Sequence, residues 1–255
     1  METIDKTHKL SYDIKEAFYG AKVDIIIPFH GQENKVSKLV ESIITHTHKT
    51  NSYRIVLVDD ASDSDWGALW ERVPGVSIVR NKKQLGFGGA LYEGFINTDS
   101  PWVVFMHSDC LVETPQWMFQ MGKSLVQFRE SGSKVKMISA RSDNPGEGYD
   151  ERLKASKNDT SNDVILKNST LPLYCAMCNR ELFERIGGFI KKYPYALYED
   201  EELAHRMRKH GYLQAICGNS WVKHEGGATI NVISKNSKIR KAMEDNKELC
   251  LKDMK

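Results

Sequence analysis

The apolar positions along this chain alternate between two rhythms. Val23-Asp24-Ile25-Ile26-Ile27-Pro28 is a nearly continuous β-branched run, as in a strand covered on both faces, and Pro28 predicts its carboxyl end. Val36, Leu39, Val40, Ile43 and Ile44 then recur at helical spacing and predict an amphipathic helix. Arg54 to Val58 is the next apolar run, and it stops at Asp59-Asp60-Ala61-Ser62. Val76 to Val79 reads as a strand, Gly88 to Ile96 as a helix, Trp102 to Met106 as a strand, Pro115 to Arg129 as a helix and Val135 to Ala140 as a strand. This alternation predicts an α/β fold with a mostly parallel sheet flanked by helices, whose ligands bind beyond the carboxyl ends of the strands.

The rhythm then lapses. Arg141 to Asn168 shows no period, which for so long a stretch predicts a lid, a binding loop or a disordered segment. An extended Leu171 to Cys178 follows, then a helix from Arg180 to Ile186 stopped by Gly187-Gly188, and another from about Asp200 to His210 stopped by Gly211. Neither an internal repeat nor a domain linker is visible. The expectation is a single domain over 23–230, with an N-terminal extension at 1–22 and a charged helical tail at 231–255, a size that suits 255 residues.

Composition narrows the class further. No apolar run approaches the ~18 residues of a membrane span, and Met1 to Leu10 lacks the apolar core of a secretory signal, so a cytoplasmic chain is expected. Five cysteines form an odd set without framework spacing, consistent with reduced thiols. The net charge of +2 carries no nucleic-acid or membrane footprint. Lys235 to Lys255 holds seven basic and four acidic side chains, read as a solvated helix, with peripheral membrane or partner contact as the alternative.

Chemistry is sought at the strand ends. Asp59 and Asp60 follow the second strand, where a carboxylate accepts hydrogen bonds from a base N–H or ribose hydroxyls, or else caps a turn. His107-Ser108-Asp109 follows the fourth strand, and one carboxylate with an imidazole or second oxygen ligand suits Mg²⁺ or Mn²⁺; a turn aspartate is the alternative. His224, after an apolar segment and before a Gly pair, offers a neutral imidazole beside Asp109. Glu199-Asp200-Glu201-Glu202 opens a helix. Such a run reads as a solvated first turn, with Glu202 and Arg206 as surface support, or as one acid over the crevice kept ionised by the helix N-terminus and ready to accept a hydroxyl proton. Two motifs fail. Leu91 stands where the third glycine of a dinucleotide fingerprint belongs after Gly86 and Gly88, and Cys175-Ala176-Met177-Cys178 has no matching second half for structural zinc.

The ordered set Val23 to His30, Val58-Asp59-Asp60-Ala61-Ser62, Leu85 to Ala90, Asp109 and Glu199 to Leu203 resembles glycosyltransferase family 2, from about Val23 to Gly227. That resemblance implies a GT-A fold, Rossmann-like, and inverting transfer from a nucleotide diphosphate sugar, UDP-linked by family habit, with Mn²⁺ or Mg²⁺. By the same resemblance, Pro28 and His30 are similar to the first nucleotide-contact loop, and Asp59 and Asp60 to the pair holding base or ribose. Gly86 and Ser108 fall among the donor-contact positions. Asp109 matches the metal and diphosphate anchor, His224 the late metal histidine, and Asp200 the acceptor base; His107 and Glu199 are secondary candidates. His107 departs from the acid or amide common at its position, and Tyr92 from a commonly polar residue in the Gly-rich helix.

The implied acceptor is the hydroxyl of a glycan, lipid-linked sugar or protein, with modified nucleic acid least favoured. Two rivals stay open. A sugar-phosphate nucleotidyltransferase would carry a Gly-rich, basic phosphate loop after the first strand, which Pro28 to Gln32 matches poorly, and a catalytically silent nucleotide-sugar or partner-binding module would need no base.

Overall fold

The structure, a computed structural model, describes residues 21–47, 52–189, 193–227 and 235–253, so nearly all of the 1–22 extension lies outside the described residues. Its strands are β1 (Val23–Phe29), β2 (Tyr53–Asp59), β3 (Val76–Arg80), β4 (Trp102–Met106), β5 (Cys110–Leu111), β6 (Val135–Ser142), β7 (Val164–Leu166), β8 (Cys175–Asn179) and β9 (Leu213–His224). The helices are α1 (Glu33–His46), α2 (Gly67–Trp70), α3 (Gly86–Ile96), α4 (Trp117–Glu130), α5 (Arg180–Arg185), α6 (Glu199–Lys209) and α7 (Ser237–Asp253).

One sheet runs in the order β3-β2-β1-β4-β8-β6-β9-β5, with β7 added on β9. Strands β1, β2, β3, β4, β6 and β9 point one way, and β5, β7 and β8 are reversed. The mostly parallel expectation therefore holds. Its extended Leu171 to Cys178 becomes β8, which inserts antiparallel between β4 and β6, a reversal that the local pattern of apolar residues does not encode.

Every residue of β1 is buried, so its side chains feed two cores in turn. Ile25 and Ile27 join Val36, Leu39 and Ile43 of α1 and Trp117 and Met118 of α4. Ile26 faces the other way, with Val56 and Val58 of β2, Leu91 and Phe95 of α3 and Phe105 of β4. Asp24, the polar break in the run, is wholly buried and accepts from Arg54 Nε and from the Ser100 amide, both at 2.9 Å. Burial works against its charge, but these donors hold its carboxyl below the ordinary range.

The aperiodic stretch is ordered. It contains a 3₁₀ turn at Glu151–Leu153 and the short β7, and it is pinned by Leu153, Ala155 and Leu166, single buried residues with no shared period. The tail forms α7, which packs on α6. Among the described residues no helix is long and apolar enough to cross a membrane.

Helix α3 approaches the sheet closely because Gly94 lacks a Cβ; one built there would collide with Cγ2 of Ile26 and lie 2.8 Å from Cγ2 of Val58. Both neighbours are stiff β-branched strand residues. Gly94→Val should therefore lower stability by about 1–3 kcal/mol through overpacking, seen as a lower urea midpoint; an unchanged midpoint would show that the helix can retreat freely.

Candidate functional site

A cavity of about 740 Å³ opens beyond the carboxyl ends of the parallel strands, a volume suited to a small-molecule ligand. Its lining brings together Pro28, His30, Asp60, Gly86, His107, Ser108, Asp109, Glu199, Asp200 and His224. Residues almost two hundred positions apart thus share one wall.

Asp60 organises the first end. It accepts from Asn81 Nδ2, the Leu85 amide and the Gly86 amide, each at 2.8 Å, and His30 Nδ1 lies 2.9 Å from its carbonyl oxygen. Burial raises its proton affinity and the three donors oppose that rise. Gly86 sits at φ 79°, and a Cβ on it would lie 2.7 Å from the Tyr195 carbonyl oxygen, so only glycine lets the 193–198 segment close onto this turn. The Phe87 amide donates to that same carbonyl at 2.7 Å.

At the second end, β5 pairs antiparallel with β9, with Cys110 opposite His224. That register sets Asp109 Oδ1 3.3 Å from His224 Nε2, and His107 Nδ1 3.3 Å from the same nitrogen. One ligand atom from each of His107, Asp109 and His224 lies within 4.8 Å of the others, one carboxylate oxygen and two imidazole nitrogens able to receive a divalent ion. His224 Nδ1 lies 2.7 Å from the Asn144 carbonyl oxygen and donates to it, leaving the Nε2 lone pair aimed into the cluster. The ring also stacks on buried Tyr174 at 4.8 Å, and its amide donates to Asp143 Oδ1 at 3.0 Å. His107 keeps a third of its side chain open to the cleft, yet its ring is drawn down to about 4 by desolvation and by His224, which leaves it neutral and able to ligate.

The acids at the start of α6 make up the third part. The solvated first turn is not what forms: Glu199, Asp200 and Glu202 are buried. Glu202 is bound by Arg206, with Nε–Oε1 at 2.5 Å and Nη2–Oε2 at 2.7 Å, and Arg206 also donates to the Ile186 carbonyl, so this pair is an internal tie rather than surface support. Asp200 accepts from the Tyr149 hydroxyl through Oδ2. Burial, then Glu201 and Glu199, push the Asp200 carboxyl well up, while Tyr149 opposes the rise. Burial among other acids thus opposes the helix N-terminus, which favours the ionised form. Glu199 is likewise pushed up to about 7 by burial. A carboxylate with raised proton affinity is the stronger base once ionised.

The sequence profile described as Glycosyl transferase family 2 matches residues 24–187. The chain belongs to this family. An uncharacterized glycosyltransferase of Rickettsia felis is 29% identical over 99 residues, 38% of this chain and 16% of that protein. This family 2 chain therefore spans about a sixth of that relative's length. Among solved structures it is similar to GalNAc-T7 with UDP, GalNAc and Mn²⁺, with a TM-score of 0.62 and 15% identity over 80% of this chain and 44% of that one. It is equally similar to the mannosyltransferase PcManGT of Pyrobaculum calidifontis in complex with GDP-Man and Mn²⁺, with a TM-score of 0.62 and 18% identity over 84% of this chain and 61% of that one. At these identities the likeness shows the fold, and that fold is GT-A.

Within this family 2 chain, Asp59 stands apart from the other sequence-derived candidates. It does not line the cavity; it binds Arg80 Nη1 at 2.6 Å and accepts from the Ser62 amide at 2.8 Å, the turn-capping alternative. Four contributors were invisible in the sequence: Asp143, Asn144 and Tyr149 from the aperiodic stretch, and Tyr174 before β8. No local spacing marks them, because each is recruited by a contact more than thirty residues away.

Removing a first-line ligand should exceed the roughly 10- to 100-fold loss of metal affinity typical of an outer-shell change. His224→Ala is expected to weaken Mn²⁺ binding by at least about that factor in an electron paramagnetic resonance titration. Wild-type affinity in a folded His224→Ala protein would remove His224 from the metal site.

Proposed function

We propose that this chain transfers a glycosyl group from a nucleotide diphosphate sugar to an acceptor hydroxyl, with inversion at the anomeric carbon. The observation that carries this reading is the shared cavity: Asp60 at one end, the His107, Asp109 and His224 cluster at another, and Asp200 on the α6 wall. The Mn²⁺ in both structural neighbours supports a metal-dependent reaction here. UDP and GDP-Man accompany those neighbours, and UDP is the first nucleotide to test.

Asp60 and His30 hold the nucleoside end, with Gly86 and Pro28 shaping the wall against it. Asp109, His224 and His107 would hold a divalent ion, whose charge would offset the negative charge growing on the leaving diphosphate. Asp200 accepts the proton of the acceptor hydroxyl as its oxygen forms the new bond to the anomeric carbon, while the bond to the diphosphate breaks on the opposite side. A single base supports inversion, since retention by double displacement requires a nucleophile against that carbon. Tyr149 donates to Asp200 Oδ2 and so favours the ionised form that can act as base. Its own phenol is pushed up by burial and by Asp200, so it remains a donor.

Asp200→Asn should lower kcat by about 10²- to 10⁴-fold, the usual worth of a general base, and leave nucleotide binding with Mn²⁺ intact. Turnover at the wild-type rate would point to another base, whereas nucleotide binding without turnover in the wild type would point to a binding module. Tyr149→Phe removes a donor to the carboxylate, so the ionised form becomes less favoured and Asp200 titrates higher. Glu199 and Glu201, which also face it, act in the same upward direction. The acid limb of the kcat/KM profile should therefore move to higher pH; a shift to lower pH, or none, would sever Tyr149 from the base.

A further inference from the structure

Tyr195 to Tyr198 form a cavity wall, yet the backbone there is unfavourable in isolation. Tyr195, Leu197 and Tyr198 have φ of 68°, 80° and 75°, the left-handed region that bulky residues avoid. The Ala196 amide donates to the Pro194 carbonyl at 3.0 Å, closing a three-residue turn on Tyr195 of the rare, strained hand. Such a conformation persists only where its surroundings over-determine it.

Helix α7 provides that restraint. Asn246 is fully buried, and its Nδ2 donates to the carbonyls of Pro194 at 3.0 Å and Ala196 at 2.8 Å, one on each side of the strained Tyr195. The opposite amide orientation would set its oxygen against two carbonyl oxygens, so the donors are assigned by the environment. Its Oδ1 is buried with no hydrogen-bond partner among the described residues, a cost that the two donated bonds offset. One turn on, Cys250 Sγ lies 3.9 Å from the Tyr198 carbonyl oxygen. From Tyr195 the restraint passes to Phe87 on the Gly86 turn, and from Tyr198, whose carbonyl accepts from the Glu202 amide, to the helix that carries Asp200.

We propose that Asn246 is a positioning residue: α7 locks the 194–198 segment in its left-handed form, and this sets the Gly86 turn and the Asp200 helix in register for the nucleotide. The nucleotide clause rests on the proposed function, whereas the locking itself does not.

Full-length Asn246→Ala and the isosteric Asn246→Asp, with the exposed neighbour Lys247→Ala as control, test this by hydrogen exchange and by titration with UDP and GDP in Mn²⁺. Peptides covering 193–203 and 85–91 should exchange at least about tenfold faster in both Asn246 variants while β1 stays protected, and the dissociation constant of whichever nucleotide binds should rise about tenfold. Unchanged exchange in those two peptides, or acceleration spread equally over β1, would overturn the proposal, since a merely structural asparagine loosens the whole domain. If wild type binds neither nucleotide, the donor reading under the proposed function fails and the exchange result still decides the lock. Should the variants not fold, the wild type serves: peptides 240–253 and 193–203 must lose protection together in sub-denaturing urea, and separate opening refutes the lock.

Discussion

The short antiparallel pairing of β5 with the end of β9 is the contact on which the site depends. It joins two residues to two, too little to stand alone, and it is held because β9 is already anchored in the sheet by β6 and β7. With Cys110 opposite His224, Asp109 and His224 meet side by side. A slip of one residue would turn His224 to the other face and leave Asp109 without its imidazole partner. The Asp143-Asn144 corner reinforces the same register from behind, one residue through the His224 amide and the other through its ring.

A second constraint is electrostatic. Buried carboxylates are costly to ionise, and this chain has them both at the cavity, in Asp60, Asp109, Glu199 and Asp200, and away from it, in Asp24 and Glu202. The protein treats them differently. Asp24 and Glu202, which face away from the ligand space, are matched by arginines and become struts. Asp60 is matched by amide donors that fix a turn. Asp200 is met by a tyrosine hydroxyl, a donor that carries no charge. That difference in partner separates carboxylates that hold the fold from the one proposed to take the acceptor proton.

The raised proton affinity of Asp200 and the strained backbone before it have a common origin. Both arise because α6 starts inside the protein, behind a segment forced against the Gly86 turn by α7. Helix starts are ordinarily hydrated, which satisfies their free amides and solvates nearby acids. Here the cleft takes the place of water, and a nucleotide and acceptor would meet a wall already organised for them.

Strand and helix order was legible in the sequence because burial on both faces of β1 and on one face of α1 leaves a periodic record. Strand ends and helix starts are positions that a pattern can locate, and Asp60, Asp109, Asp200 and His224, singled out there, all line the cavity. Asp59 and Asp60 are neighbours of the same type, and only the packing of Arg80 against one and of the Gly86 turn against the other tells them apart. The reversal of β8, the β5–β9 register and the recruitment of Tyr149, Asn144 and Asn246 likewise left no trace in local spacing. Local sequence determines what a segment can do with its own neighbours, such as its period, caps and turns. Contacts between distant segments are chosen by the burial and hydrogen-bond satisfaction of the whole chain at once, so the meeting of His107, Asp109 and His224 and the pairing of Tyr149 with Asp200 were decided by tertiary structure alone.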